Sequence, residues 1–247
     1  MKNLPLVWAH RGSCATAPEN TLLAFSQAVE AGADGLELDI QLTKDGEIVV
    51  CHDELLDRTS SGKGLLCEKT LAELKELDFS YTHPECGHVT IPTMREVFEL
   101  IRPTDLIINI ELKTGYLDYE GIEEKVLNLT REMGMEDRVI YSSFNHYSIV
   151  KLQKLNPSAK TAFLYEDGPI DMPLYCAKHH VDAIHPLYFN LRYPDFLKQC
   201  RENDLEINVW TVNREDFARN CFRMGVNAII TNYPDKMRAL LQEFENE

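Results

Sequence analysis

The stretch from Asp34 to Asp53, DGLELDIQLTKDGEIVVCHD, decides how the rest of the chain is read. From Leu36 to Leu42 apolar and polar residues alternate strictly. Leu36, Leu38, Ile40 and Leu42 share one face of a strand, and Glu37, Asp39 and Gln41 share the other. The turn-forming Lys44-Asp45-Gly46 follows, and Ile48 to His52 then reads as a second strand that delivers His52 and Asp53 at its far end. Two carboxylates and an imidazole are gathered by a short length of chain, a combination that suits a divalent cation beside a proton-transfer group. Taken alone, the same pattern also fits the solvated face of an antiparallel sheet.

A second copy of the pattern favours the first reading. In Ile107 to Lys113, IINIELK, Ile108, Ile110 and Leu112 alternate with Asn109, Glu111 and Lys113. Two strands that are apolar on one side and ionic on the other are reconciled if the apolar sides lie under helices and the ionic sides converge. That is the sheet of a barrel with a polar mouth.

The remaining chain supplies the other units. Strands are expected to begin at Leu6, Leu36, Leu106, Arg138, Thr161, Asp182, Glu206 and Val226, each followed by a helical pattern, with Ile48 to His52 left over as an extra strand. Thr21 or Asn20 can cap the first helix and Gly32 can end it. The last helices are expected over Tyr193–Asn203, Arg214–Met224 and Pro234–Phe244. Eight β-α units predict a TIM-type (β/α)8 barrel in the α/β class, one domain over residues 1–247. Between Glu54 and Ile91 the chain wanders far longer than an ordinary strand-to-helix loop. Because Leu65, Leu66, Leu71, Leu74 and Leu77 offer apolar anchors there, residues 54–91 are expected to form a small inserted subdomain over the barrel mouth.

Composition narrows the partners. Among 247 residues, 25 Lys and Arg stand against 40 Asp and Glu, a formal charge of −15, which disfavours nucleic acid and anionic membrane surfaces. No run is long enough for a membrane span, and MKNLPLVWAHRG does not read as a signal peptide, so the expectation is a soluble, cytoplasmic protein. The seven cysteines are scattered and never in Cys-x-x-Cys spacing, which indicates neither a disulfide framework nor a zinc knuckle.

In such a barrel the functional groups come from the C-terminal ends of different strands. Those ends carry His10 and Arg11, Glu37 and Asp39, His52, Glu111 and Lys113, Ser143 and Phe144, and Trp210. Glu37, Asp39 and Glu111 offer three hard oxygen ligands that suit Mg²⁺ or Ca²⁺, with zinc through His10 or His52 the less favoured alternative. His10 and His52 can serve as acid and base near neutrality. Arg11 and Lys113 supply the positive charge that a phosphodiester needs, and Phe144 and Trp210 an apolar wall for its organic part.

Together His10-Arg11-Gly12, Pro18-Glu19-Asn20-Thr21, Glu37-x-Asp39, His52-Asp53, Ile91-Pro92-Thr93, Glu111-x-Lys113, Ser143-Phe144, Val209-Trp210-Thr211-Val212-Asn213 and Ile230-Thr231-Asn232-Tyr233-Pro234-Asp235 resemble the glycerophosphodiester phosphodiesterase family. The resemblance runs from His10 to Asp235. It implies a TIM-type barrel with a small insertion after the His52 strand, a divalent metal on Glu37, Asp39 and Glu111, and His10 and His52 as general acid and base. The implied reaction is hydrolysis of small glycerophosphodiesters, such as glycerophosphocholine or glycerophosphoethanolamine, to glycerol 3-phosphate and an alcohol. Asn232 departs from the pattern, where Asp is expected more often. Two rivals remain: a lyase using Lys113 as a Schiff-base nucleophile, and a non-catalytic binding protein for anionic metabolites.

Overall fold

In the computed structural model, which describes residues 4–247, the first apolar run forms β1 (Leu6–His10) and leads through a tight loop into α1 (Leu22–Glu30). Thr21 caps α1, accepting from the Ala24 amide. The Asp34 to Asp53 stretch becomes β2 (Gly35–Leu42) and the short β3 (Ile48–Val50). After α2 (Leu71–Lys75) and α3 (Met94–Ile101) the chain alternates without interruption. It runs β4 (Ile107–Leu112), α4 (Ile122–Glu132), β5 (Val139–Ser143), α5 (His146–Leu155), β6 (Lys160–Tyr165) and α6 (Met172–Lys178). Then come β7 (Ala183–Pro186), α7 (Phe196–Glu202), β8 (Glu206–Val209), α8 (Glu215–Met224), β9 (Ala228–Thr231) and α9 (Pro234–Glu245).

β1 pairs in parallel with both β2 and β9, and β2 pairs in parallel with β4, so the sheet closes on itself as an eight-stranded parallel barrel. β3 is antiparallel and extends only the far end of β2, through Ile40↔Val50 and Leu42↔Ile48. This is the expected TIM barrel with its extra strand.

The period-two pattern divides inside from outside. Leu36, Leu38, Ile40, Ile108 and Ile110 are fully buried in one core with Phe25, Met94, Phe98 and Val126 of the surrounding helices. Burying such a side chain contributes about 1.5–3 kcal/mol. The other face points into the barrel, where Trp8, Ile140, Ala162, Ala183, Ala228 and Ile230 form a separate inner cluster. Gly35 makes room for the indole, since a Cβ there would lie 2.7 Å from Trp8 Cδ1.

Several boundaries shift by one to three residues from the sequence expectation, and two of the shifts have a visible cause. β3 stops at Val50 rather than His52, because Gln41 Nε2 donates to the carbonyls of Cys51 and Asp53 at 2.8 and 2.9 Å and takes acceptors a strand partner would use. α7 begins at Phe196, not Tyr193; Pro194 disfavours a helical Tyr193, whose ψ is 141°, and the preceding residues form a 3-10 turn at Tyr188–Arg192.

Residues 54–91 carry packing of their own. Leu56, Leu66, Leu74, Phe79 and Ile91 join Val49 and Cys51 in a cluster distinct from the main core, with Leu71 and Leu77 packed against it. Lys75 Nζ donates to both Glu96 oxygens at 2.7 and 2.9 Å, tying α2 to the first turn of α3. Among the described residues no helix is long and apolar enough to cross a membrane.

Candidate active site

Strand register brings the acids together. β2 and β4 pair so that Asp39 lies opposite Glu111, and Glu37 follows the same inward face two residues earlier. One oxygen from each of Glu37, Asp39 and Glu111 lies within 4.8 Å of the others. The three are 5, 0 and 7% exposed, which rules out a solvated sheet face.

Such crowding has an electrostatic cost. Burial, then the charges of Asp39 and Glu111, push the Glu37 carboxyl well above its usual range. Burial, then Asp39, raise Glu111. For Asp39 burial acts in the same sense but is outweighed by Arg11, His52 and Lys113, which hold it below the usual carboxylate range. Asp39 Oδ1 is buried without a hydrogen-bond partner. An all-oxygen donor set, two acids reluctant to ionise and one orphaned oxygen fit a hard divalent cation. Among the described residues no imidazole or thiolate joins that cluster.

The cations border it. Arg11 follows β1 with φ 53°, and Gly12 with φ 80° packs so closely on α1 that a Cβ would lie 2.6 Å from the Ala24 carbonyl carbon. This left-handed pair turns the chain sharply, and the Arg11 amide donates to Glu37 Oε2 at 3.1 Å. The Arg11 guanidinium meets Glu19 at 2.9 Å and Asp39 at 3.4 Å. Lys113 Nζ donates to Glu111 at 2.9 Å and lies 3.8 Å from Asp39. Burial acts to discharge Lys113, but Asp39 and Glu111 outweigh it and hold the ammonium above its ordinary pKa. A Schiff-base role needs the neutral amine, so the structure disfavours that rival.

Both imidazoles are tethered at Nδ1. His10 Nδ1 donates to the amide oxygen of Asn232 at 2.7 Å, and His52 Nδ1 donates to the Asp53 carboxylate at 2.6 Å. His10 Nε2 stands 3.9 Å from Glu37. Burial, then Arg11, push the His10 pKa down to about 4. His10, Arg11, Glu37, His52, Glu111, Phe144 and Trp210 line one cavity of about 240 Å³, together with Asn109, Leu164 and Glu166. Phe144 and Trp210 meet edge to face with centroids 5.6 Å apart. Asp39 and Lys113 sit beside this cavity through their contacts with Arg11 and Glu111. A wider groove lined by His146, Ile170 and Tyr175 adjoins it, sharing Phe144, Leu164 and Glu166. At the opposite end of the barrel a cavity of about 360 Å³, lined by Leu6, Trp8 and Asn227 among others, contains none of these groups.

Several contributors were given no role in the site from sequence. Asn20, with φ 57°, donates to Asp39 Oδ2 at 2.8 Å, and Asn232 holds His10 from 222 positions away. Glu19, Asp53 and Arg58 form ion pairs behind Arg11 and His52. The Pro18-Glu19-Asn20-Thr21, His52-Asp53 and Ile230-Thr231-Asn232-Tyr233-Pro234-Asp235 motifs pointed toward all of them but Arg58, without the contacts each makes.

Fold and site together define a TIM-barrel enzyme whose reactive groups are gathered at the C-terminal mouth of the strands. Residues 10–236 match the model of the glycerophosphoryl diester phosphodiesterase family. The chain is 43% identical over 239 residues to a glycerophosphodiester phosphodiesterase of Caldanaerobacter subterraneus subsp. tengcongensis, covering 96% of this chain and 98% of that one. It is 39% identical to a glycerophosphodiester phosphodiesterase of Bacillus altitudinis, covering 97 and 99%. The solved glycerophosphodiester phosphodiesterase of Agrobacterium tumefaciens superposes with a TM-score of 0.84 at 29% identity, covering 96 and 100% of the two chains. An Oleispira antarctica phosphodiesterase, solved in complex with the product sn-glycerol-3-phosphate, superposes with 0.83 at 30% identity and 97% coverage of each. The chain belongs to the glycerophosphoryl diester phosphodiesterase family and is an enzyme of that class, a phosphoric diester hydrolase.

Proposed function

We propose that this enzyme hydrolyses small glycerophosphodiesters to glycerol 3-phosphate and an alcohol, with a divalent cation, Mg²⁺ or Ca²⁺, held by Glu37, Asp39 and Glu111. The cation supplies Lewis-acid stabilisation of charge on the phosphoryl oxygens. Arg11 holds the phosphate through its planar fork and Lys113 adds a point charge. Phe144 and Trp210 form the apolar wall, and residues 54–91 act as a subdomain beside the mouth. Free glycerophosphodiesters reach such a site in solution, as expected of a cytoplasmic enzyme.

The observation that carries this reading is the pair of imidazoles at one cavity, each anchored at Nδ1 so that Nε2 is left for substrate. Their anchors differ. A carboxylate on Nδ1 stabilises an imidazolium, so His52 protonates the leaving alkoxide; an amide does not, so His10 accepts the proton of the nucleophile, either water directly or the substrate's neighbouring hydroxyl followed by water opening the cyclic phosphate. A glycerophosphodiester is thereby cleaved with one proton taken and one returned. His10→Ala and His52→Ala are each expected to lower kcat by roughly 10²- to 10⁴-fold with circular dichroism unchanged. Near-normal turnover in both variants defeats the assignment. EDTA should abolish turnover and Mg²⁺ or Ca²⁺ restore it.

A further inference from the structure

One guanidinium outside the cavity organises two groups inside it. Arg58 donates from Nη1 and Nη2 to the Glu19 oxygens at 2.7 and 2.8 Å. From Nε and Nη2 it donates to the Asp53 oxygens at 2.6 and 2.9 Å. Each carboxylate is engaged a second time by a group of the site: Glu19 Oε1 accepts from Arg11 Nη1 at 2.9 Å, and Asp53 Oδ1 from His52 Nδ1 at 2.6 Å. Arg58 therefore stands one carboxylate away from both the phosphate-side cation and a proton-transfer imidazole. It is not among the side chains lining the cavity.

The insertion fixes the base of this fork. Leu56 is fully buried in the second cluster, and its carbonyl accepts from the Ser60 amide at 3.0 Å and the Ser60 hydroxyl at 2.8 Å. The Leu56 amide donates to Gly64 O at 3.0 Å, and the Gly64 amide to Asp57 Oδ2 at 3.1 Å. Arg58 itself is 45% exposed, so its ion pairs are screened and add little to global stability. Their geometry has another consequence. Without the fork, Glu19 keeps only Arg11 and draws it from Asp39, while Asp53 keeps only His52 and loses the partner that fixes its own plane. Lysine, a point charge without a planar fork, cannot orient two carboxylates at once.

We propose that Arg58 is a positioning residue of the phosphodiesterase reaction, setting the placement of the Arg11 guanidinium through Glu19 and the ring plane of His52 through Asp53. The inference rests on the roles given above to Arg11 and His52. It also couples the insertion to the chemistry, because Arg58 belongs to the inserted segment and reaches Arg11 and His52 through these ion pairs.

The test uses the full chain with glycerophosphocholine as substrate, and proton NMR of the downfield His52 imidazole N–H, assigned by its loss in His52→Ala. Arg58→Ala and Arg58→Lys are both expected to lower kcat roughly tenfold to a hundredfold, the range typical of groups that orient a reacting residue. Added guanidinium ion should restore part of the Arg58→Ala turnover, since the vacated position is half exposed, and should leave Arg58→Lys unchanged. The His52 N–H resonance should broaden or vanish in both variants. Wild-type kcat in Arg58→Lys, or an undisturbed His52 N–H in Arg58→Ala, overturns the proposal. If Arg58→Ala fails to fold, Arg58→Lys, which keeps stem and charge, decides alone. A wild-type enzyme inactive on every glycerophosphodiester sinks the proposed function instead, and the N–H resonance still reads the fork.

Discussion

His10 hangs from an amide where His52 hangs from a carboxylate, and that single atom type separates their chemistry. Asn232→Asp removes the difference. An anionic partner favours the imidazolium, so the pKa of His10, now held near 4 by burial and by Arg11, should rise by about 1–3 units. The acid limb of kcat/KM should move upward with it; an unmoved limb would mean that His10 is not the base the limb reports. His185 gives a pH effect of another kind. It is fully buried on the inner face, its Nδ1 has no partner, and burial pushes its pKa down to about 3. Since the unfolded chain protonates near 6.5, the unfolded state binds the extra proton as pH falls from there toward 3. Stability is intact above that window and is lost within it at about 1.4 kcal/mol per pH unit. Urea unfolding between pH 7 and 4.5 should show a shallower decline for His185→Gln than for wild type, and parallel curves would place the proton uptake elsewhere. Sequence made His10, Glu37, Asp39 and Glu111 legible because inward position follows from a two-residue period and a strand end. It marked Asn232 only as a departure from the family pattern and left its contact with His10, like the role of Arg58, obscure, because these partners are set by barrel closure and by irregular turns, neither of which has a period.

Elements were more legible than residues. Strand alternation, helical spacing and caps agree locally, as at Thr93, whose hydroxyl accepts from the Glu96 amide while the Glu96 carboxylate takes the Thr93 amide. Boundaries slipped where a side chain competed for backbone groups, as Gln41 does beyond β3, or where a proline intervened before α7. The insertion's length and the anchors Leu66, Leu71, Leu74 and Leu77 were visible, whereas the parts of Leu56 and Phe79 in its core were not, because single apolar residues in turns show no period. That core invites a direct test. Leu74 is fully buried and belongs only to the second cluster, so Leu74→Ala should cost about 2–5 kcal/mol locally. Hydrogen exchange should accelerate through residues 54–91 while the amides of β5 to β9 keep their protection. Acceleration spread evenly over the barrel would show that the two cores open as one unit.

Across the whole molecule, acidity and function pull in opposite directions. A formal charge of −15 repels anionic substrates, so the proposed function assigns the phosphate end to the local charges of Arg11 and Lys113, while Glu166 lines the same cavity and forms no ion pair among the described residues. Glu166→Gln should therefore raise KM for diesters with a cationic alcohol, such as glycerophosphocholine, and leave KM for an uncharged alcohol unchanged or lower. An equal change for both would assign Glu166 to shape rather than charge. The same imbalance ties the proposed metal to folding as well as to catalysis. Glu37, Asp39 and Glu111 are closed inside a barrel that exists only when folded, and burial with mutual repulsion raises two of them above their usual range. A cation binding the native cluster but not the unfolded chain stabilises by about 2.7 kcal/mol at a hundred times its Kd. For a chain of this size that corresponds to a rise in Tm of about 5–10 °C. Glu111→Gln should melt no lower than wild type in EDTA, because it relieves like-charge crowding, yet should gain little from Mg²⁺ or Ca²⁺. Calorimetric scans of both proteins with EDTA and with each cation separate these effects, and a wild-type Tm indifferent to all three additions would mean that the three acids do not hold a metal.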